Sequence, residues 1–377
     1  MKKNYFMLAA ATMMLAACAE TELVNEVNTV AEPQAIGFET FANKATRAEN
    51  SSALYSWELH AHHESFDVWG YKSVSDNFVF TDEVVTYTTD WGYTGLVYWD
   101  KAASSYEFYA AAPSSAIWEI NSNVATNHAD DYFTVSNYEV NPNNAAKAGS
   151  HVYENSFDGV TGAEDLMIAS PKNVPSSEFG QKVQLNFNHI LSRFNVTVSK
   201  DATLTSQTVV MKSLVFYNIN HHGTFKENTV PTPPATLAGG THERWTLNNV
   251  TTTYAALTEE VLAVAPASPA VPEYMLQSLV MPQLAAVETV NLDGTSTGLE
   301  EPYFTIVYTI TDNGNTEEFS ASYNLAAAFG ITGTGKLAFN EGWQNTLNIN
   351  IKPAAISFTG NVALWANPTP TPGLEIE

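Results

Sequence analysis

The residue types that most often carry chemistry are sparse and poorly grouped in this chain. His60-Ala61-His62-His63 and His221-His222 come nearest to a metal-ligand set, and His60 and His62 would share one face of a strand, as a zinc site requires. No His-Glu-x-x-His run and no cysteine accompanies them, so they read as exposed histidines of loops or strands. Asp130-Asp131 and Glu259-Glu260 are adjacent pairs whose carboxylates point apart on any regular element. Without a third group neither makes an acid/base dyad, and both read as solvated surface. Gly330-Ile331-Thr332-Gly333-Thr334-Gly335-Lys336 resembles a phosphate loop in composition but not in spacing, and it reads as a turn. Aromatic faces stack on sugar rings, so the 8 Trp and 17 Tyr could line a glycan groove; in a β-sandwich they more often fill the core. No catalytic, cofactor-binding or metal-binding residue is assigned, and the chain is not read as an enzyme.

The elements that position these residues follow from length and composition. At 377 residues the chain has room for about two domains, each with a sizeable core. Sixteen Lys and Arg against 40 Asp and Glu give a formal charge of −24, which repels phosphate backbones and excludes nucleic acid as a natural partner. Charged residues are only 15% and hydrophobic ones 45%, so this is neither a disordered acidic tail nor a coiled coil. The single cysteine, Cys18, rules out an intramolecular disulfide and a thiolate cluster. Lys2 and Lys3 precede the apolar run Phe6 to Ala17, which is too short to span a bilayer, a task that needs about 20 residues. The Leu15-Ala16-Ala17-Cys18 step that follows resembles a bacterial lipoprotein box. Residues 1–17 are therefore expected to be a lipoprotein signal peptide, with Cys18 acylated as the mature N-terminus and its acyl chains in a membrane.

Beyond the signal, the acidic stretch to about residue 34 reads as a tether, and Ala35-Ile36-Gly37-Phe38-Glu39-Thr40-Phe41 alternates enough to pair as a strand. Leu185-Asn186-Phe187-Asn188, Phe194 to Val198 and Leu347 to Ile351 alternate strictly, the mark of antiparallel strands with one face in a core. Phe304 to Thr311 and Phe319 to Leu325 flank an Asn313-Gly314 pair, which predicts a hairpin. Helical signal is confined to Tyr254 to Val264 and a turn at Ala326 to Ala328. The expected fold is all-β, with two antiparallel β-sandwich domains in tandem and the seam at Lys200 to Thr205. In numbers, this gives a tether and N-terminal strand segment over 18–47, one sandwich over 48–202, a second over 203–354, and a C-terminal strand with a Pro-rich tail over 355–377. In that last segment Ile356, Phe358, Val362 and Leu364 lie on one face of an extended chain. Pro368, Pro370 and Pro372 cannot donate to a ladder, so pairing should stop near Ala366.

Several steps taken together are more specific. They are Thr46-Arg47-Ala48, Val97-Tyr98-Trp99 followed by Tyr106 to Pro113, Asp165-Leu166-Met167-Ile168-Ala169, Leu185 to Arg193, and Gly342-Trp343 before the Leu347 strand. In this order, after a lipoprotein box, the chain resembles the fimbrillin family, the type V pilins and related surface lipoproteins of Bacteroidales, over nearly its whole length. The resemblance implies two transthyretin-like sandwiches, export to the outer membrane as a lipoprotein, and cleavage between Arg47 and Ala48 by an arginine-specific surface protease. Loss of the first strand, with Ile36 and Phe38, then opens a groove that a C-terminal strand of a neighbouring subunit fills.

Two features of the residues agree with that scheme. Only Arg47, Arg193 and Arg244 occur, and Arg193 lies beside an alternating apolar strand, out of easy reach of a protease. The Ile356, Phe358, Val362 and Leu364 face supplies the apolar surface a donor strand needs. The proline tail leaves two options: a donor confined to about residues 355–366, or a strand that belongs to its own subunit. The leading expectation is a structural subunit of a fimbrium at the cell surface, partnered by other fimbrial subunits and supporting adhesion. The alternative is a tip or non-polymerising surface lipoprotein that binds glycan, host protein or a bacterial surface ligand through loops such as Pro231 to Gly240.

Overall fold

The computed structural model describes residues 33–42, 55–56, 61–62, 65–73, 77–88, 90–114, 116–121, 131–140, 165–227, 244–247, 251–256, 260–262, 276–287, 301–353 and 356–364. Strands dominate it. In chain order the first are β1 (Phe38–Ala42), β2 (Tyr55–Ser56), β3 (Ala61–His62), β4 (Ser65–Lys72), β5 (Asn77–Tyr87), β6 (Trp91–Gly92), β7 (Ser105–Ala112), β8 (Glu119–Asn121), β9 (Tyr132–Glu139), β10 (Met167–Pro175), β11 (Val183–His189) and β12 (Ser192–Lys200). Then come β13 (Thr208–Asn220), β14 (His222–Lys226), β15 (Trp245–Leu247), β16 (Thr251–Ala256), β17 (Glu260–Val261), β18 (Leu276–Val280), β19 (Gln283–Ala286), β20 (Tyr303–Asp312), β21 (Asn315–Asn324), the one-turn helix α1 (Leu325–Ala328), β22 (Lys336–Phe339), β23 (Trp343–Ile351) and β24 (Ile356–Leu364).

A seven-stranded sheet in the order β1-β11-β10-β7-β4-β5-β6 forms the first unit. Its two ends meet, because Ile36 N–H donates to Val97 O at 2.8 Å and Trp99 N–H to Gln34 O at 3.1 Å, just past β6. The short run Gln34–Ala42 thus closes a curled sheet, pairing with residues 97–99 on one side and, parallel, with β11 on the other. Inside lies one core, with Phe38, Phe66, Phe108, Leu185 and Phe187 at its centre. β4 is buried on both faces: Phe66 and Val68 point into this core while Trp69 and Tyr71 point into a second. That second core is capped by a small sheet, β15-β14-β9-β8, through Phe133, Phe225 and Trp245. The third core lies between β18-β12-β23-β24 and β16-β13-β20-β21 and holds Phe194, Phe216, Phe304 and Leu347.

The all-β expectation is met, and among the described residues two pairings are parallel, β1 with β11 and β12 with β23, while the others are antiparallel. β20 and β21 pair over ten residue pairs about a turn in which Asn313 (φ 49°) and Gly314 (φ 82°) take the left-handed conformation their types tolerate. One expectation is corrected. Thr251–Ala256 and Glu260–Val261 are strands on β13, not a helix, because pairing along a long β-branched neighbour outweighs the weak local helical pattern. Phe194, Val196 and Val198 of β12 lie in the third core, and β14 pairs with β9, so strands on either side of residue 202 share cores and sheets. Period-two patterning marks a buried strand face but not which core receives it.

Candidate functional site

The site begins with a strand that alternates strictly. Ile36, Phe38 and Thr40 are buried while Gly37 and Glu39 are half-exposed, as a strand lying across the mouth of a curled sheet requires. Phe38 is fully buried, and its ring meets Phe66, Phe80, Tyr93 and Phe108 edge-on with centroids 5.5 to 6.0 Å apart, the preferred aromatic geometry. Backbone bonds fix it from both sides: Val183 N–H donates to Gly37 O at 2.8 Å, and the Tyr93 hydroxyl donates to Ile36 O at 2.8 Å. Burial of that hydroxyl holds the Tyr93 phenol above its ordinary range. The stem of Lys182 lies against Gly37, and its ammonium pairs with Asp90, strapping the segment from outside. The Lys182 ammonium keeps the Asp90 carboxyl below the usual carboxylate range. Thr40 Oγ1 is buried and has no hydrogen-bond partner among the described residues.

The other end of the chain is built differently. β24 pairs antiparallel with β23 of its own subunit and forms the outer edge of that sheet. Ile356, Phe358 and Val362 pack on the third core, and Phe358 meets Phe304 at 5.6 Å and Tyr323 at 4.6 Å. All three are half-buried, in contrast to Phe38. Gly360 passes so close to Phe329 that a Cβ there would lie 2.8 Å from the Phe329 Cα, so only glycine fits. Leu364 ends the strand.

The remaining candidates are structural or lie elsewhere. His221 Nε2 pairs with Glu139 at 3.2 Å and His222 Nε2 approaches Asn137 O at 3.2 Å, both within the β14–β9 sheet. Asp131, expected on the surface, is buried and accepts from the Tyr71 hydroxyl at 2.8 Å, with Tyr71 pushed far above its ordinary range by burial and by that carboxylate. Gly330 to Lys336 is the turn between α1 and β22. Among the described residues no group of three or more His, Cys, Asp or Glu is placed to hold a metal. Trp69, Trp91, Trp99, Trp118 and Trp245 are all buried in cores, as the sandwich reading of the aromatics expects. Cys18, Arg47, Ala48, His60, His63, Asp130 and Pro231 to Gly240 lie outside the described residues.

The two arginines that are described are both committed. Arg193 is almost wholly buried in β12, with Nε 3.2 Å from Asn195 Oδ1. Arg244, beside β15, donates Nε to Glu341 Oε2 at 2.8 Å and a second bond through Nη2, and it lies over the Phe225 ring at 5.1 Å. Burial pushes Glu341 up to about 7, against the opposing pull of Arg244. Burial also raises Glu227, which accepts from Phe133 N–H at 2.9 Å. This acid pair around one guanidinium joins the small sheet to the turn before β23. Sequence reading missed it because Glu341 is 97 residues from Arg244.

A family model described as fimbrillin-like matches residues 46–365. The chain belongs to the fimbrillin-like family. Membership supports a pilus or adhesion role at the cell surface, in association with other fimbrial subunits. The matched region of this fimbrillin-like chain starts next to Arg47, leaving the strand with Ile36 and Phe38 outside it although that strand is folded into the first core. Among solved structures, a fimbrial protein from Bacteroides vulgatus shares the fold at a TM-score of 0.52 and 15% identity, over 88% of this chain and all of that one. A candidate cell adhesion protein from Bacteroides uniformis matches at 18% identity and a TM-score of 0.44, over 88% of this chain and 99% of that one. The tip fimbrial protein Mfa3 from Porphyromonas gingivalis, in a C-terminally truncated form, matches at 10% identity and a TM-score of 0.34, over 81% and 96%. No curated protein matches the sequence.

Proposed function

We propose that this fimbrillin-like chain is a structural fimbrial subunit, exported as an outer-membrane lipoprotein acylated at Cys18 and matured by cleavage between Arg47 and Ala48. Removal of the segment through Arg47 takes away Ile36 and Phe38, and the C-terminal strand of a neighbouring subunit, carrying Ile356, Phe358, Val362 and Leu364, enters the vacated groove. The observation that carries this reading is the burial of Phe38 among four rings by a short segment that precedes every other strand of its sheet. Such a segment is a removable plug. Cutting behind it exposes apolar surface and two unpaired edges at once, and exposed edges recruit strands. The arginines support the choice of cleavage point, since Arg193 is buried in a ladder and Arg244 is held by Glu341. An arginine-specific protease thus meets resistance at both.

One observation favours a second reading, the tip or non-polymerising lipoprotein that binds a glycan or a surface ligand: β24 already completes its own sheet. A reversible lock separates the two. Asn348 and Thr359 are paired across β23 and β24, at a spacing a disulfide can bridge. The Asn348→Cys/Thr359→Cys variant, started at Ala48 so that no other cysteine is present, should stay monomeric when oxidised and form SDS-resistant ladders on reduction. Ladders from the oxidised protein would place the donor elsewhere. A monomer under both conditions, with the unsubstituted Ala48 form also monomeric, would favour the second reading.

A further inference from the structure

The two terminal strands share a short pattern. Ile36-Gly37-Phe38 lies in the plug and Ile356-Ser357-Phe358 in β24, each an isoleucine and a phenylalanine two residues apart on the buried face of a strand. On the strand-exchange reading above, we propose that the incoming β24 of a second copy enters parallel to β11 in a single register, Ile356 taking the place of Ile36 and Phe358 the four-ring pocket of Phe38.

The pocket fixes direction and register together. Along Gln34–Ala42 the order is an aliphatic position, Ile36, beside Val97 and Tyr93, then an aromatic position, Phe38, among Phe66, Phe80, Tyr93 and Phe108. A strand entering the other way with Phe358 in the aromatic pocket would leave Gly360 at the aliphatic position of Ile36, unfilled, and set Ile356 at Thr40. A slip of one residue would turn the whole apolar face outward, and a slip of two would put Gly360 or Ile356 in the aromatic pocket. In the proposed register Gly360 lands where Thr40 now buries a hydroxyl that no described residue satisfies, so the donor removes a buried polar group from the groove. Val362 lands at Ala42, opposite Phe187, and keeps its inward parity. Phe358 gains by the move: on its own sheet it is half-buried against two rings, whereas the pocket surrounds Phe38 completely.

The register of the plug on β11 gives the test. Phe38 pairs with Val183 and Glu39 with Gln184, so in the assembled form Thr359 should stand opposite Gln184 of the receiving copy, both on the outward face. Three cysteine pairs are compared in protein started at Ala48, which is otherwise free of cysteine: Gln184→Cys with Ser357→Cys, with Thr359→Cys and with Asn361→Cys. After assembly and mild oxidation, the Thr359 pair should convert most of the protein into covalent multimers, with at least tenfold less from the other two. Ladders that crosslink best through Ser357 or Asn361, or through none of the three, overturn the register while leaving strand exchange intact. Failure of the unsubstituted Ala48 form to assemble overturns both.

Discussion

Phe38→Ala in the uncleaved chain tests whether the N-terminal segment is a plug. The ring is fully buried and touches four others, and deleting such a ring from a core costs about 3 to 5 kcal/mol. If the segment opens as a unit, the cost falls on its own closed state. About 4 kcal/mol is then nearly a thousandfold in the opening equilibrium. Native hydrogen exchange reads this directly. The amides of Ile36, Trp99 and Val183, which bond across the segment, should lose about three decades of protection, while those of β12 and β23 in the third core keep theirs. The wild-type and variant chains should become indistinguishable once the piece through Arg47 is removed, because the substitution leaves with it. Equal loss of protection in both cores would mean that the segment is part of one global unit. Unchanged protection at Trp99 and Val183 would mean that the Phe38 contacts hold nothing in place, and either result refutes the plug.

Other expectations follow from single contacts. Glu341, normally ionised above about 4.5, is raised to about 7 by burial, so the folded chain holds a proton there that the unfolded chain releases. Its contribution is full below about pH 4.5 and is lost as pH rises through 7, a swing of about 3 kcal/mol. Thermal melts between pH 8 and pH 5.5 should therefore show stability rising on acidification, and Glu341→Gln should flatten that slope; an unchanged slope would assign it to another group. Gly360→Val sets a side chain against Phe329 and should destabilise the β23–β24 edge by about 1 to 3 kcal/mol; an unshifted denaturant midpoint would show that β24 does not hold this position in solution. Cys18→Ser should abolish palmitate labelling and release the chain from the outer membrane, and retained label would exclude acylation at this thiol.

The amino-acid pattern by itself determined several of the strands and one hairpin turn. Period-two alternation in Leu185 to Phe187 and Leu347 to Ile351, and the Asn313-Gly314 pair, are local signals, and each corresponds to an element of the fold. The parity of Ile36 and Phe38, and of Ile356, Phe358 and Val362, was legible for the same reason, since a strand sends alternate side chains to one face. What alternation cannot carry is the identity of the neighbour. That Thr251–Ala256 joins β13 as a strand, that β12 serves the third core, and that β14 crosses to β9 were decided by which ladders could be completed once all the strands were present. The junction of Arg244 with Glu341 and Glu227, and the burial of Asp131 beneath Tyr71, are likewise meetings of residues far apart in sequence. Their electrostatics exist only where folding has removed the water. The closure of the curled sheet by Gln34–Ala42 belongs to the same class: its apolar residues announce a buried strand, but only the tertiary fold brings β11 to one side of it and residues 97–99 to the other, so that this segment closes the sheet.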